Sequence, residues 1–264
     1  MCLIAVAWRV HPAYPLALIA NRDEFHGRPT APAETDPEAP AVFGGRDLQA
    51  GGSWLQVSRR GRLAAVTNVR AGLASDTAPR SRGRLVRDFV RGDASTDRAL
   101  AALAPTAAEY GRFNLLFWDG ATLGFAGNHP HYRRHAIAPG LHAMSNGEFD
   151  APWPKSTRAT RALDGWLASP GADAWADGDA SAVGTLFDAL ADRTPAPDDE
   201  LPDTGVGLDL ERMLSPPFVL GERYGTRCST VVLIGARGIA FAERQYGPGG
   251  VVQGQTEAML EIDA

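Results

Sequence analysis

The chain opens Met1-Cys2-Leu3-Ile4-Ala5-Val6-Ala7-Trp8-Arg9-Val10. After the turn residues His11-Pro12-Ala13-Tyr14-Pro15 comes a second apolar run, Leu16-Ala17-Leu18-Ile19-Ala20, which leads into Asn21-Arg22-Asp23-Glu24. Two short apolar runs around a proline-containing turn read as a buried antiparallel hairpin. Its return end carries the polar residues 21–24 back beside residue 2. Alternate residues of a strand share a face, so Asn21 and Asp23 are expected to point one way and Arg22 the other.

Working outward, Ser53–Val57 and Leu63–Thr67 form a second hairpin around Ser58-Arg59-Arg60-Gly61, ending on Thr67-Asn68-Val69-Arg70. Further strands are expected at Phe113–Trp118, Leu123–Ala126, Arg133–Ile137 and Leu141–Met144, then at Ser229–Ile234, Ile239–Arg244 and Ala258–Ile262. Helical spacing appears over 81–91, Thr96–Leu103, Ser156–Leu167 with Ser156 as N-cap, and Ala182–Ala191. The Pro/Ala/acid-rich stretch 28–41 reads as a surface loop, 170–180 as a linker and 194–206 as a loop. Hairpins interrupted by blocks of helix define an α+β fold with stacked sheets, not alternating βαβ units. No repeat or low-complexity boundary divides residues 1–264, so a single domain is expected.

Hydrophobic residues make up 44% of 264, enough for a sizeable core, and the net charge of −5 argues against non-specific nucleic-acid binding. No apolar run reaches the ~18–20 residues of a membrane span, and the apolar start reads as a strand, not a signal peptide. Cys2 and Cys228 make no disulfide framework, so the cytoplasm is the expected compartment. Lys155 is the only lysine among 26 basic residues, which makes Schiff-base chemistry a poor first expectation. Phosphate-loop, dinucleotide and Gly-x-Ser-x-Gly motifs are absent. The histidines His129, His131, His135 and His142 lack a completing carboxylate or cysteine, so no metal site is expected.

A cysteine directly after Met1 carries a specific chemical option. Removal of Met1 would give Cys2 both a thiol and an α-amine of pKa near 8, so the residue would hold nucleophile and general base together. Such a site needs an acid to hold the amine and donors for an oxyanion. Asp23 returns beside residue 2, Asn68 and Asn146 each follow a short apolar strand, and Arg227 precedes another.

These residues fall within stretches that resemble the NRDE-motif family, also called the transport and Golgi organization protein 2 family. The resemblance rests on Met1-Cys2, Ala20–Phe25, Gly51–Leu55, Ala65–Arg70, Phe113–Leu116, Met144–Gly147, Tyr224–Arg227 and Glu243–Tyr246, in that order along nearly the whole chain. That family is similar to N-terminal nucleophile hydrolases of the choloylglycine hydrolase and penicillin V acylase type. The resemblance implies a four-layer αββα sandwich. It implies Cys2 as nucleophile, Asp23 as the acid on the amine, Asn68 and Asn146 beside the oxyanion, and Arg227 as a supporting cation. Those hydrolases carry an arginine three residues before the acid, where this chain has Ala20.

Two functions are compatible with this. One is thiol-dependent hydrolysis of an amide or acyl thioester. The other is binding without turnover of heme or an acyl-coenzyme A, the ligands to which the relatives are linked. In either case Asn21, Arg22, Glu24, Trp54 and Arg70 are candidate ligand contacts. The arginines Arg59, Arg60, Arg62, Arg80, Arg82 and Arg84 could meet phosphates.

Overall fold

In the computed structural model, residues 2–73, 78–177 and 180–263 are described. One antiparallel sheet runs in the order β10 (Gly140–Met144), β1 (Cys2–His11), β2 (Tyr14–Phe25), β11 (Tyr224–Gly235), β12 (Gly238–Tyr246) and β13 (Val252–Leu260). The other keeps chain order: β3 (Thr30–Asp36), β4 (Ala39–Asp47), β5 (Leu55–Ser58), β6 (Arg62–Asn68), β7 (Phe113–Trp118), β8 (Leu123–Gly127) and β9 (Arg133–Ala136). Helices α1 (Gly83–Arg91) and α2 (Thr96–Leu103) connect β6 to β7. Helices α3 (Pro154–Leu167), α4 (Pro170–Asp177), α5 (Gly184–Leu190) and α6 (Leu208–Met213) connect β10 to β11.

The alternation of β1 decides the layering. Ile4, Val6 and Trp8 point at the second sheet, where they join Leu18, Val232, Phe43, Leu55, Leu116 and Phe125 in the inter-sheet core. Leu3, Ala5 and Ala7 point the other way, against Leu163, Trp166, Phe187 and Leu190 of α3 and α5. Small residues on that face let the helices come close. The second sheet buries Ala64, Val66, Leu115 and Phe117 under Val86, Phe89, Val90 and Leu100 of α1 and α2. The result is the expected αββα sandwich. A Leu→Ala change at Leu55, which is 1% exposed in the inter-sheet core, would cost about 2–5 kcal/mol.

Several local expectations give way. Residues 28–41 are not a loop: they hold all of β3 and the start of β4. β3 is an edge strand, where Pro32 does no harm, and the Ala33 N–H is satisfied by Glu243 Oε1 at 2.8 Å from the other sheet. The second apolar run does not stop at Ala20: Asn21–Glu24 continue β2 to Phe25. The stretch 170–180 holds α4, which buries Ala172 and Trp175; residues 178 and 179 lie outside the described part. α3 starts at Pro154 with Trp153 as N-cap, because proline suits the first helical position, and Ser156 lies inside the helix. No helix of the described residues is long and apolar enough to cross a membrane.

Candidate active site

The register of three strands sets the site. Cys2, the first residue of β1, pairs with Arg22 of β2, and Arg22 pairs in turn with Cys228 of β11. Directly paired residues of an antiparallel sheet share a face, so Cys2, Arg22 and Cys228 form a row facing the second sheet. This corrects the expectation that Arg22 turns away from Cys2. Alternation does put Asn21 and Asp23 together on the opposite face. Alternation along one strand, however, cannot say which set lies beside residue 2; the hairpin register decides that.

Cys2, Arg22, Asp23, Glu24, Trp54 and Asn68 line one cavity of about 580 Å³. Arg80 and Arg82 line it from the segment before α1, and Arg84 from the first turn of that helix. Arg28 also faces it and pairs with Asp47 at 2.6 Å. The Arg22 guanidinium lies 4.3 Å over the Trp54 ring, donates to Thr30 Oγ1 at 3.2 Å, and sits 3.7 Å from Glu24 Oε2. The indole can lie there because residue 45 is glycine: a Cβ at Gly45 would stand 2.1 Å from it.

Asn68 ends β6, and Asn146 lies just past β10. Asn146 Nδ2 donates to the Asn68 carbonyl at 3.0 Å and to Asn68 Oδ1 at 3.1 Å. A backbone carbonyl only accepts, so the atom facing it must be nitrogen. The Asn68 atom facing that nitrogen must then be oxygen. Asn68 Nδ2 is therefore the end left for the cavity that Asn68 lines. Ser145 Oγ donates to the Cys2 carbonyl at 2.9 Å. The Ser145 carbonyl accepts from Thr67 Oγ1 at 2.5 Å and Asn114 Nδ2 at 3.2 Å. The stretches 65–70, 113–116 and 144–147 thus meet at the start of β1.

Asp23 is 2% exposed. Its Oδ1 accepts from Thr226 Oγ1 at 2.7 Å, and the Tyr224 hydroxyl donates to its carbonyl at 3.3 Å. Burial pushes the Asp23 carboxyl above its ordinary value, while the N-terminal ammonium and, after it, the Lys155 ammonium, the Thr226 hydroxyl and the Arg22 guanidinium pull it back. Burial also pushes the Cys2 thiol up, and the Asp23 charge adds to this. Cys2 is thus kept as a thiol, which needs a base before it can attack.

Not every expected residue reaches the cavity. Arg227 is the extra residue of a bulge between Thr226 and Cys228. Its Nη1 donates to the carbonyls of Phe25, His26 and Arg28 at 3.0, 3.2 and 3.2 Å, so it braces the turn that carries Arg28. It lines a separate space of about 360 Å³ that shares Trp54 with the first. Asn21 is buried toward the helices, donating to Leu190 and Pro217 carbonyls at 2.8 Å each. Arg70 is tied to Glu211 at 2.5 Å and to Thr204 Oγ1 at 2.7 Å, away from the cavity wall. Arg59, Arg60 and Arg62 also lie elsewhere: Arg59 pairs with Asp263, and Arg62 donates to the Phe89 carbonyl. Sequence reasoning passed over Thr226, Ser145, Asn114 and Lys155. The first three stand in the very stretches that carried the family resemblance; Lys155 had only its uniqueness to mark it. Among the described residues no group of His, Cys, Asp and Glu is placed to share a metal ion.

Two stacked antiparallel sheets between helical layers, with a cysteine at the head of an inner strand, define the N-terminal nucleophile hydrolase fold. Solved structures agree. The N-acylethanolamine-hydrolyzing acid amidase ortholog of Caenorhabditis elegans superposes with a TM-score of 0.51 at 10% identity, over 88% of this chain and 92% of that one. The C2A mutant of the conjugated bile acid hydrolase from Clostridium perfringens gives 0.53 at 6% identity, over 100% and 94%. Within that fold, the family model described as Transport and Golgi organisation 2 matches residues 1–248, and the chain belongs to that family. The Transport and Golgi organization protein 2 homolog of Homo sapiens is 31% identical over 265 residues, 92% of each chain. The Mus musculus homolog is 28% identical over 264 residues, with the same coverage.

Proposed function

We propose that this protein is a thiol-dependent hydrolase of an acyl thioester or amide whose non-acyl part is anionic. The observation that carries the reading is that Cys2 and Asn68, whose Oδ1 is held by Asn146, line one cavity together with several arginines. Removal of Met1, a residue outside the described ones, exposes the α-amine of Cys2. That amine takes the thiol proton, and Sγ attacks the substrate carbonyl. The oxyanion accepts from Asn68 Nδ2, whose orientation Asn146 fixes. The ammonium returns its proton to the departing thiolate or amine. Water, activated by the same amine, then releases the acyl group from Cys2. Asp23 holds the amine, and Arg227 acts one step back by bracing the turn.

Arg22 fits a further part of this reading. Ala20 and Arg22 lie on the same face of β2, so the guanidinium expected at position 20 enters the cavity two residues later. With Arg80, Arg82 and Arg84 it suits phosphate or carboxylate groups, as in an acyl-coenzyme A. Two unpaired cysteines, Cys2 and Cys228, suit a reducing compartment such as the cytoplasm.

The test begins with intact mass of the purified protein, to establish loss of Met1. Hydrolysis of acyl-coenzyme A and of an N-acyl amino acid is then followed for wild type, Cys2→Ser and Cys2→Ala. Loss of turnover in Cys2→Ala with folding retained supports the reading. Undiminished turnover in Cys2→Ala overturns it. Binding of heme or acyl-coenzyme A by Cys2→Ala, with no turnover by wild type, assigns a binding protein instead.

A further inference from the structure

Two stretches far apart in sequence, Asn68–Arg70 and Ser145–Gly147, grip each other beside Cys2. Asn146 Nδ2 donates to both oxygens of Asn68, and the Arg70 N–H donates back to the Asn146 carbonyl at 2.7 Å. Asn114 Nδ2 donates to the Gly147 carbonyl at 2.7 Å. Arg70 and Asn146 both lie past the ends of their strands, β6 and β10, so much of their support must come from outside the ladders.

The Arg70 guanidinium supplies that support from a buried position. Its Nη2 meets Glu211 Oε2 of α6 at 2.5 Å, and its Nε donates to Thr204 Oγ1 at 2.7 Å. Glu211 Oε1 accepts in turn from the Thr204 N–H at 2.8 Å and the Thr204 hydroxyl at 2.6 Å. The Thr204 carbonyl accepts from the Gly72 N–H at 2.7 Å. Both ions of this buried pair thus make further hydrogen bonds, which offset their loss of water. The same guanidinium lies 5.3 Å over the Trp153 ring. That ring fills the space a side chain at position 147 would need: a Cβ at Gly147 would stand 2.3 Å from it. Arg70 therefore reaches the Asn146–Gly147 turn twice, through its own N–H and through Trp153. Glu211, Thr204 and Trp153 meet different parts of the guanidinium, its Nη2, its Nε and its ring-facing plane. A planar fork can serve all three together, and an ammonium cannot.

We propose that Arg70 is a positioning residue. Locked by Glu211 and Thr204, it fixes the Asn146–Gly147 turn and, through Asn146, the side chain of Asn68, which lines the cavity with Cys2. The catalytic consequence rests on the hydrolase reading; the clasp itself does not.

The test compares the full chain as wild type, Arg70→Met, Arg70→Lys and Glu211→Gln. Amide hydrogen exchange, followed residue by residue by NMR, reads the clasp without a substrate. In Arg70→Met the amide at position 70 should exchange faster by about ten-fold beyond any rise at Val232, a buried residue in the middle of β11 that reports global opening. Equal rises at the two positions overturn the clasp. Arg70→Lys keeps the charge and loses the fork, so its exchange should resemble that of Arg70→Met; full protection in Arg70→Lys also overturns it. Alkylation of Cys2 by iodoacetamide forms no oxyanion. Its rate in Arg70→Met should stay within about two-fold of wild type, while kcat for acyl-coenzyme A hydrolysis falls by about ten-fold or more with KM little changed. A merely structural role would lower both rates together, and that result, or an unchanged kcat, overturns the positioning role. If Arg70→Met does not fold, Glu211→Gln supplies the same comparison, because it keeps an acceptor for Thr204 and removes the charge that holds the guanidinium. Absence of turnover in wild type sinks the hydrolase reading, and the exchange result then decides the clasp by itself.

Discussion

Asn146 donates to both oxygens of Asn68, the backbone carbonyl at 3.0 Å and Oδ1 at 3.1 Å. One buried asparagine thereby decides which way a second, cavity-lining asparagine faces. On the hydrolase reading proposed above, Asn68→Ala removes the donor assigned to the oxyanion and should lower kcat by about 100–1,000-fold with KM little changed. Asn146→Ala removes only its orientation, so its effect on kcat should be smaller. It should also lower stability by about 1–3 kcal/mol, because buried acceptors lose their partner. Steady-state kinetics and denaturant melts separate the two. A larger kcat loss for Asn146→Ala than for Asn68→Ala would reverse the assignment.

Thr226 is the donor to Asp23 Oδ1 and the acceptor for the Val219 N–H at 2.9 Å. Thr226→Val keeps the shape and removes both bonds. It should destabilise by about 1–3 kcal/mol. It should also raise the Asp23 pKa, since this bond favours the ionised form. The acid limb of kcat/KM then moves up in pH, which Thr226→Ser should restore.

Arg22 shares its face with Cys2, so it should select for negative charge. Alkylation of Cys2 by iodoacetate relative to iodoacetamide, read by peptide mass spectrometry, reports this without a substrate. Arg22→Met should lower that ratio by about five-fold at low salt, the worth of about 1 kcal/mol of charge attraction, and added salt should shrink the difference. Arg22→Lys should recover only part of it, since an ammonium lacks the planar face that stacks on Trp54. An unchanged ratio in Arg22→Met would remove Arg22 from the cavity's chemistry. Cys228 should stay unlabelled, as it is buried and burial holds its thiol well above the ordinary value.

His142 Nδ1 lies 2.7 Å from Asp150 Oδ2 and its Nε2 lies 2.9 Å from the Ala138 carbonyl. Both ring nitrogens face acceptors, so the imidazolium fits best. The hydrogen bond to Asp150 raises its pKa above the usual 6.5. A raised histidine stabilises the fold fully below its unfolded pKa and loses that contribution as pH rises through the folded one. The Tm gap between wild type and His142→Asn should therefore be widest near about pH 5.5 and close toward about pH 8.5. A gap that widens with pH would contradict the pairing.

The hairpin and the stacked layers were legible in the sequence, because apolar alternation and strand ends are local signals, and Cys2 and Asn68, both expected at the site, do line one cavity. What failed depended on facts between strands. The facing of Arg22 follows from the pairing of Cys2 with position 22, and the outward swing of Arg227 from a one-residue bulge. Neither register nor bulge is written in either strand alone. β3 and β4 were hidden by Pro32 and their acids, which an edge strand tolerates. Lys155 was visible as a rarity, but only the packing of α3 on β1 gave that rarity a place.

A chain whose single lysine is sealed inside has a chemical surface of an unusual kind. Ubiquitin ligases, acetyltransferases and amine-coupling reagents all look for an ε-amine in water, and the folded protein offers them none at Lys155. Ubiquitin attachment at that lysine would have to wait for the molecule to open. Its modification would then mark lost structure and not a regulatory state. For the experimenter the same fact is a convenience: amine-directed labelling of Lys155 becomes a direct clock for unfolding.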